Sequence, residues 1–181
     1  MPNTPISRLR VGRPMSVGWI FLTVCALAGT DCRWIPRGST EQNDLSAMQQ
    51  VSIKVVASAT GVERATYTAY VADTNEMHVL GLMNVTEDEL PADHGMIFVF
   101  STDRHHSFWM RNTVIPLDIA YIQSDGSDGR IVKIYTMEPL NEAGYPSIEP
   151  ARFALEVRGG QFAQWGITEG DRVEIPDELF D

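Results

Sequence analysis

Among the residues that could do chemistry, one carboxylate stands out. Asp118 lies in Pro116-Leu117-Asp118-Ile119-Ala120-Tyr121-Ile122, with apolar neighbours on both sides. Burying a carboxylate there is costly unless it is paired or hydrogen-bonded. Arg111, Asn112 and Thr113 stand a few residues upstream across Pro116 and are the expected donors. In that role Asp118 fixes a bend; facing a pocket, it would instead recognise a polar ligand. Trp109 precedes Arg111 by two positions, so on a strand the indole, the guanidinium and Ser107 share a face. That set would form a flat stacking platform for a sugar or a similar ring. Trp109 as a core filler explains the same pattern. Trp109, Arg111, Asn112, Thr113 and Asp118 are therefore the candidate ligand-binding residues.

A second carboxylate opens a hydrolase or lyase reading in which Asp118 works with Glu156 or another carboxylate. Paired acids for sugar cleavage face each other about 5–9.5 Å apart. Other catalytic signatures are missing: the chain has no Gly-x-Ser-x-Gly, no His-Glu-x-x-His and no phosphate-cradling glycine loop. No cofactor is implied. Met83, Met96, Met110 and Met137, with His105 and His106, are soft or borderline ligands that would suit Cu(I). They stand inside strongly apolar phrases, where methionine fills core gaps, and core filling is the preferred reading.

These residues need a frame. Ala65, Tyr67, Ala69 and Val71 alternate with Arg64, Thr66, Thr68 and Tyr70, the period of a strand with one buried face. Met96-Ile97-Phe98-Val99-Phe100 reads as a wholly apolar strand, and His106 to Arg111 as another that halts near Pro116. Leu117 to Ile122 runs through Asp125-Gly126 and Asp128-Gly129 into Arg130 to Met137, a strong hairpin signal. Phe153, Leu155 and Val157 alternate, and Val173 and Ile175 close the set. Thr74 to Met83 can make two helical turns, and Gln161 to Trp165 about one, between Gly160 and Gly166. The expected fold is mainly β with one or two short helices: a compact barrel or strongly curved sheet of about seven strands.

The N-terminal region reads as an address. Arg8, Arg10 and Arg13 precede an uncharged apolar run, Val17 to Gly29, that ends near Ala26-Leu27-Ala28. A basic start, a short apolar core and small residues at the end are the parts of a secretory signal. Residues 1–28 are expected to be an export signal, 29–50 a disordered linker, 51–176 a single β-rich domain and 177–181 a C-terminal tail. Export places the domain in the periplasm or cell envelope. Membrane contact would come only through the signal or through lipidation at Cys32, where the preceding Asp31 is a poor match. Cys25 and Cys32 are the only cysteines, so the domain has neither a disulfide nor a thiol nucleophile. Without its three leading arginines the chain carries 11 basic against 24 acidic residues. That balance argues against a nucleic-acid partner.

Several phrases occur together: Gly81-Leu82-Met83, Gly95 to Phe100, Phe108-Trp109-Met110-Arg111-Asn112-Thr113, Ile115-Pro116-Leu117-Asp118-Ile119 and Leu155-Glu156-Val157. From Val51 to Ile175 the chain resembles domain of unknown function family 192, a widespread prokaryotic family that is often exported. The resemblance implies a small, mostly β fold with a short helix and supplies no activity. The family usually carries arginines where this chain has His78 and Val85, so an anion held by them elsewhere would lose both contacts here. The leading reading is an exported, non-enzymatic domain that binds a small polar molecule, a carbohydrate among the candidates, or an envelope protein. A purely structural domain is the bland alternative.

Overall fold

The computed structural model describes residues 42–126 and 128–180. The expected export signal, Cys25, Cys32 and the first part of the linker lie outside the described residues. In chain order the elements are β1 (Gln50–Val56), β2 (Glu63–Ala72), α1 (Asn75–Leu80), β3 (His94–Arg104), β4 (Ser107–Phe108), β5 (Leu117–Asp125), β6 (Asp128–Met137), β7 (Tyr145–Pro146), β8 (Ala151–Arg158), α2 (Gln161–Trp165) and β9 (Arg172–Glu174). Seven strands close a barrel in the order β1-β2-β3-β8-β5-β6-β9, and β4 pairs with β7 apart from it. The fold is the mainly β barrel with two short helices that the alternation implies. Closure runs through the short β9, which pairs only residues 54–56 of β1 and 128–130 of β6.

Two apolar layers follow from the pleat. One buried cluster draws on all seven barrel strands, among them Ile53, Tyr67, Ile97, Ala120, Ile131, Leu155 and Val173, and fills the lumen. A second takes the opposite faces of the central strands, with Met96, Phe98, Ile119, Tyr121 and Ala154, and packs them against non-strand segments. β3 is buried on both faces, which is why its sequence is continuously apolar. Met96 and Met110 belong to this outer core, and Met83 is buried as well.

The outer layer exists because of one topological feature. β2 and β3 are parallel neighbours, so the chain must cross over between them. The crossover, residues 73–93, carries α1 and the Gly81-Leu82-Met83 phrase across the outside of the barrel. Thr74 Oγ1 caps α1 by accepting from Met77 N at 3.2 Å. The helix stops at Gly81, φ 47°, earlier than the expected Met83. Gly95 lets β3 approach β8 closely, since a Cβ there would run into the Glu156 carbonyl.

Three boundaries differ from the sequence reading. The expected linker through residue 50 is ordered from residue 42: Leu45 and Met48, spaced across a 3-10 turn at Leu45–Ala47, both enter the outer core. Asn43 Nδ2 ties this segment to the crossover by donating to Gly81 O at 2.9 Å. The expected tail also packs, since Leu179 closes the lumen cluster and Phe180 meets Phe153 edge-on at 5.3 Å. The expected strand from His106 to Arg111 shrinks to Ser107–Phe108. Beyond it the chain turns away, with Met110 N donating to Asn141 O at 2.9 Å.

Candidate functional site

Glu156 is built into the wall by the ladder of β8. Its cross-strand partners are Met96 on β3 and Ile119 on β5, both outer-core residues. By alternation alone it would point to solvent. The crossover instead covers this face, and the side chain is 4% exposed. Burial alone pushes its carboxyl up to about 8, with no hydrogen bond or neighbouring cation opposing the shift. Near neutral pH the group is therefore largely a neutral acid that can donate as well as accept.

A cleft of ≈ 30 Å³ opens above this carboxyl. Leu82, Met83 and Phe98 form apolar walls, and Thr113, His78 and Trp109 also line it. The volume admits about one small group, such as a hydroxyl or an amine. Trp109 is 45% exposed beside the cleft, and the Arg111 guanidinium lies 5.5 Å from the centre of its ring. This is cation–π stacking distance. His78, one of the two positions where the resemblance implies an arginine, donates from Nε2 to Ala72 O at 3.0 Å. The other such position, Val85, is fully buried in the outer core and offers no cation.

Thr113 and Asn112 hold the cleft together by backbone. Asn112 and Asn84 both adopt positive φ, 55° and 60°, a conformation that asparagine tolerates. Asn84 N donates to Asn112 O at 2.8 Å, pinning the crossover to the Trp109 segment. Thr113 N donates to Met110 O at 3.1 Å, and Thr113 O accepts from Leu140 N at 3.0 Å. Of the five candidate residues, Trp109 and Thr113 line the cleft, Arg111 joins through Trp109, and Asn112 sets the turn beneath them.

Asp118 lies elsewhere. It pairs in register with Val157, whereas Glu156 pairs with Ile119, so the two carboxylates occupy opposite faces of the β5–β8 pair. The wall of the barrel separates them, which corrects the pairing of Asp118 with Glu156. The donors expected for Asp118 are corrected too. Its Oδ1 accepts from Thr136 Oγ1 at 2.7 Å, and its Oδ2 from Phe162 N at 2.9 Å. The second bond satisfies an N–H at the start of α2, where Gly160 provides no side-chain cap. Asp118 is 1% exposed and joins three elements from inside the barrel. Sequence reasoning had Glu156 only as a second acid. Its place in Leu155-Glu156-Val157, out of phase with the lumen-facing alternation, was the available signal.

Residues 55–175 match the model of DUF192, described as "Uncharacterized ACR". A crystal structure of a protein of unknown function from Novosphingobium aromaticivorans DSM 12444 aligns with TM-score 0.65 and 33% identity, covering 77% of this chain and 94% of that one. A protein of Sinorhizobium meliloti 1021, named as a candidate transcription regulator, aligns with TM-score 0.64 and 31% identity, covering 70% and 94%. Comparison with curated proteins gave no match.

Proposed function

The chain belongs to the DUF192 family, and from its Glu156 cleft we propose a non-catalytic binding module for a small polar ligand, working outside the cytoplasm. One observation carries this reading. A buried carboxyl with no hydrogen-bond partner among the described residues sits beneath an exposed indole, in a cleft walled mainly by apolar side chains. A hydrophobic residue at position 156 would serve the fold better, so the acid is retained at a cost to stability. The arrangement suits a ring that stacks on Trp109 and sends one hydroxyl or amino group toward Glu156. A carbohydrate has both parts. The single acid, with Asp118 behind the barrel wall, favours binding over cleavage. Net charge of −10 speaks against a nucleic-acid partner, despite the name given to the Sinorhizobium protein.

A thermal-shift screen of the full chain against neutral monosaccharides and cell-wall fragments tests the proposal. A ligand at 100 times its dissociation constant should add about 2.7 kcal/mol of stability. That gain should vanish in Trp109→Ala while the unliganded stability stays close to the parent's. An equal gain in both proteins would remove the cleft from the reading.

The location is proposed from the N-terminal signal. The mature protein recovered from the envelope fraction should begin between Gly29 and Cys32, which N-terminal sequencing reads directly. An intact Met1 on a cytoplasmic protein would contradict it.

A further inference from the structure

Trp165, the last residue of α2, is 50% exposed although the helix it ends is anchored in the lumen through Phe162. Two clefts meet at its ring, sharing Glu63, Arg64 and Trp165 as lining residues. One, of ≈ 480 Å³, continues over Thr66, Asp93 and Gln161; the other, of ≈ 610 Å³, continues over Ala57, Thr60 and Val62. Both fall within the about 300–1,000 Å³ typical of small-molecule sites. Neither shares a lining residue with the Glu156 cleft.

The polar groups here are fixed in advance. Arg64 Nε pairs with Asp171 Oδ2 at 2.8 Å, and that carboxylate is itself held by Thr168 N at 2.9 Å. A Cβ on Gly166 would come within 3.3 Å of Arg64 Nη1, so the guanidinium lies close over the turn that follows Trp165. Gln161 is 8% exposed; its Nε2 donates to Ala92 O, while its Oε1 has no partner. The Tyr67 hydroxyl also lacks a hydrogen-bond partner among the described residues, but it lies inside the barrel within electrostatic reach of Asp118. Buried polar atoms are nearly always satisfied, and the orphaned Gln161 Oε1 beside this groove marks a place where an outside donor or a bridging water belongs.

We propose that this groove binds a neutral oligosaccharide chain, with one ring stacked on Trp165 and a hydroxyl, directly or through one water, satisfying Gln161. An indole face with rigidly held amide and guanidinium groups on either side suits a ring that has an apolar face and a hydroxylated edge. Arg64 is neutralised by Asp171, and Glu63 and Asp93 make the rim acidic, which disfavours anionic chains. β3 pairs β2 only from Thr68 onward, so a peptide lying along the edge of β2 at residues 63–67 is the rival occupant that the test must separate.

Isothermal titration of the full chain with cellohexaose, chitohexaose, maltohexaose and laminarihexaose tests this, with decaproline as the rival probe. At least one sugar should bind saturably. Trp165→Ala should weaken it about tenfold and Trp165→Phe much less, and the same loss should appear in a Trp109→Ala background, which removes any sugar held at the other cleft. Because Trp165 is half-exposed, the alanine variant should melt with the parent, and Gln161→Ala, also weaker in binding, reports on the buried side. Saturable binding to none of the four sugars would overturn the proposal. So would affinity that Trp165→Ala leaves unchanged in the Trp109→Ala background, or binding to decaproline alone.

Discussion

Replacing Glu156 with glutamine is expected to make the protein more stable at neutral pH. In the fold its carboxyl titrates near 8, above the ordinary value of 4.5, because burial disfavours the charged form. Between those values the folded state keeps a proton that the unfolded chain has released. Stability therefore falls as pH rises through the window from 4.5 to 8, and levels off once the folded carboxyl ionises as well. Each unit of difference is worth about 1.4 kcal/mol, so at pH 7 the native residue costs about 3 kcal/mol that a neutral amide avoids. Below the ordinary carboxyl range the two proteins should be nearly equal. Urea denaturation of both at acid, neutral and mildly alkaline pH measures the difference. A gap that does not widen with pH would mean that the carboxyl is ionised and paired in the fold. If the variant is more stable and also loses its ligand response, the acid is kept for binding rather than for folding.

Asp118→Ala should be the most damaging single change at a polar position, at about 3–5 kcal/mol. Two hydrogen bonds to a buried carboxylate disappear together, each worth about 1.5–3 kcal/mol. The substitution strands the Phe162 N–H inside the lumen, at a helix start with no other cap, and leaves the Thr136 hydroxyl without its partner. Asp118→Asn keeps one acceptor oxygen and should cost less, about 1–3 kcal/mol. Combining Asp118→Ala with Thr136→Val should cost less than the sum of the two, because both remove the same bond. Equilibrium unfolding of the set reads these values. An Asp118→Ala protein within about 1 kcal/mol of the parent would contradict the structural role.

The fold class was legible because its signals are local. Period-two alternation marks one buried face per strand, and Asp125-Gly126 joins β5 to β6 with Gly126 at φ 69°. Short glycine-bounded α2 was legible for the same reason. The ordered segment at residues 42–49 was not, because its composition is polar and only the spacing of Leu45 and Met48 fits a packed turn. Trp109 and Thr113 were candidates because their types suggest recognition, and the structure brings both to the lining of the Glu156 cleft. Their company was misjudged.

Two facts about the site came only from tertiary structure. Asp118 was identifiable as a buried carboxylate from its apolar neighbours, but its partners, Thr136 and Phe162, lie 18 and 44 residues further along. Donors nearer in sequence were the natural guess, and closure of the barrel chose others, because register decides which residues meet across a ladder. Glu156 shows the reverse case. Its sequence position placed it on the outside of the wall, as the β8 ladder bears out. Whether the outside meant water or protein depended on the parallel β2–β3 pairing, which requires a crossover, and that crossover covers this face. Strand periodicity determines which side of a sheet a residue faces; only the path of the rest of the chain decides what is waiting there.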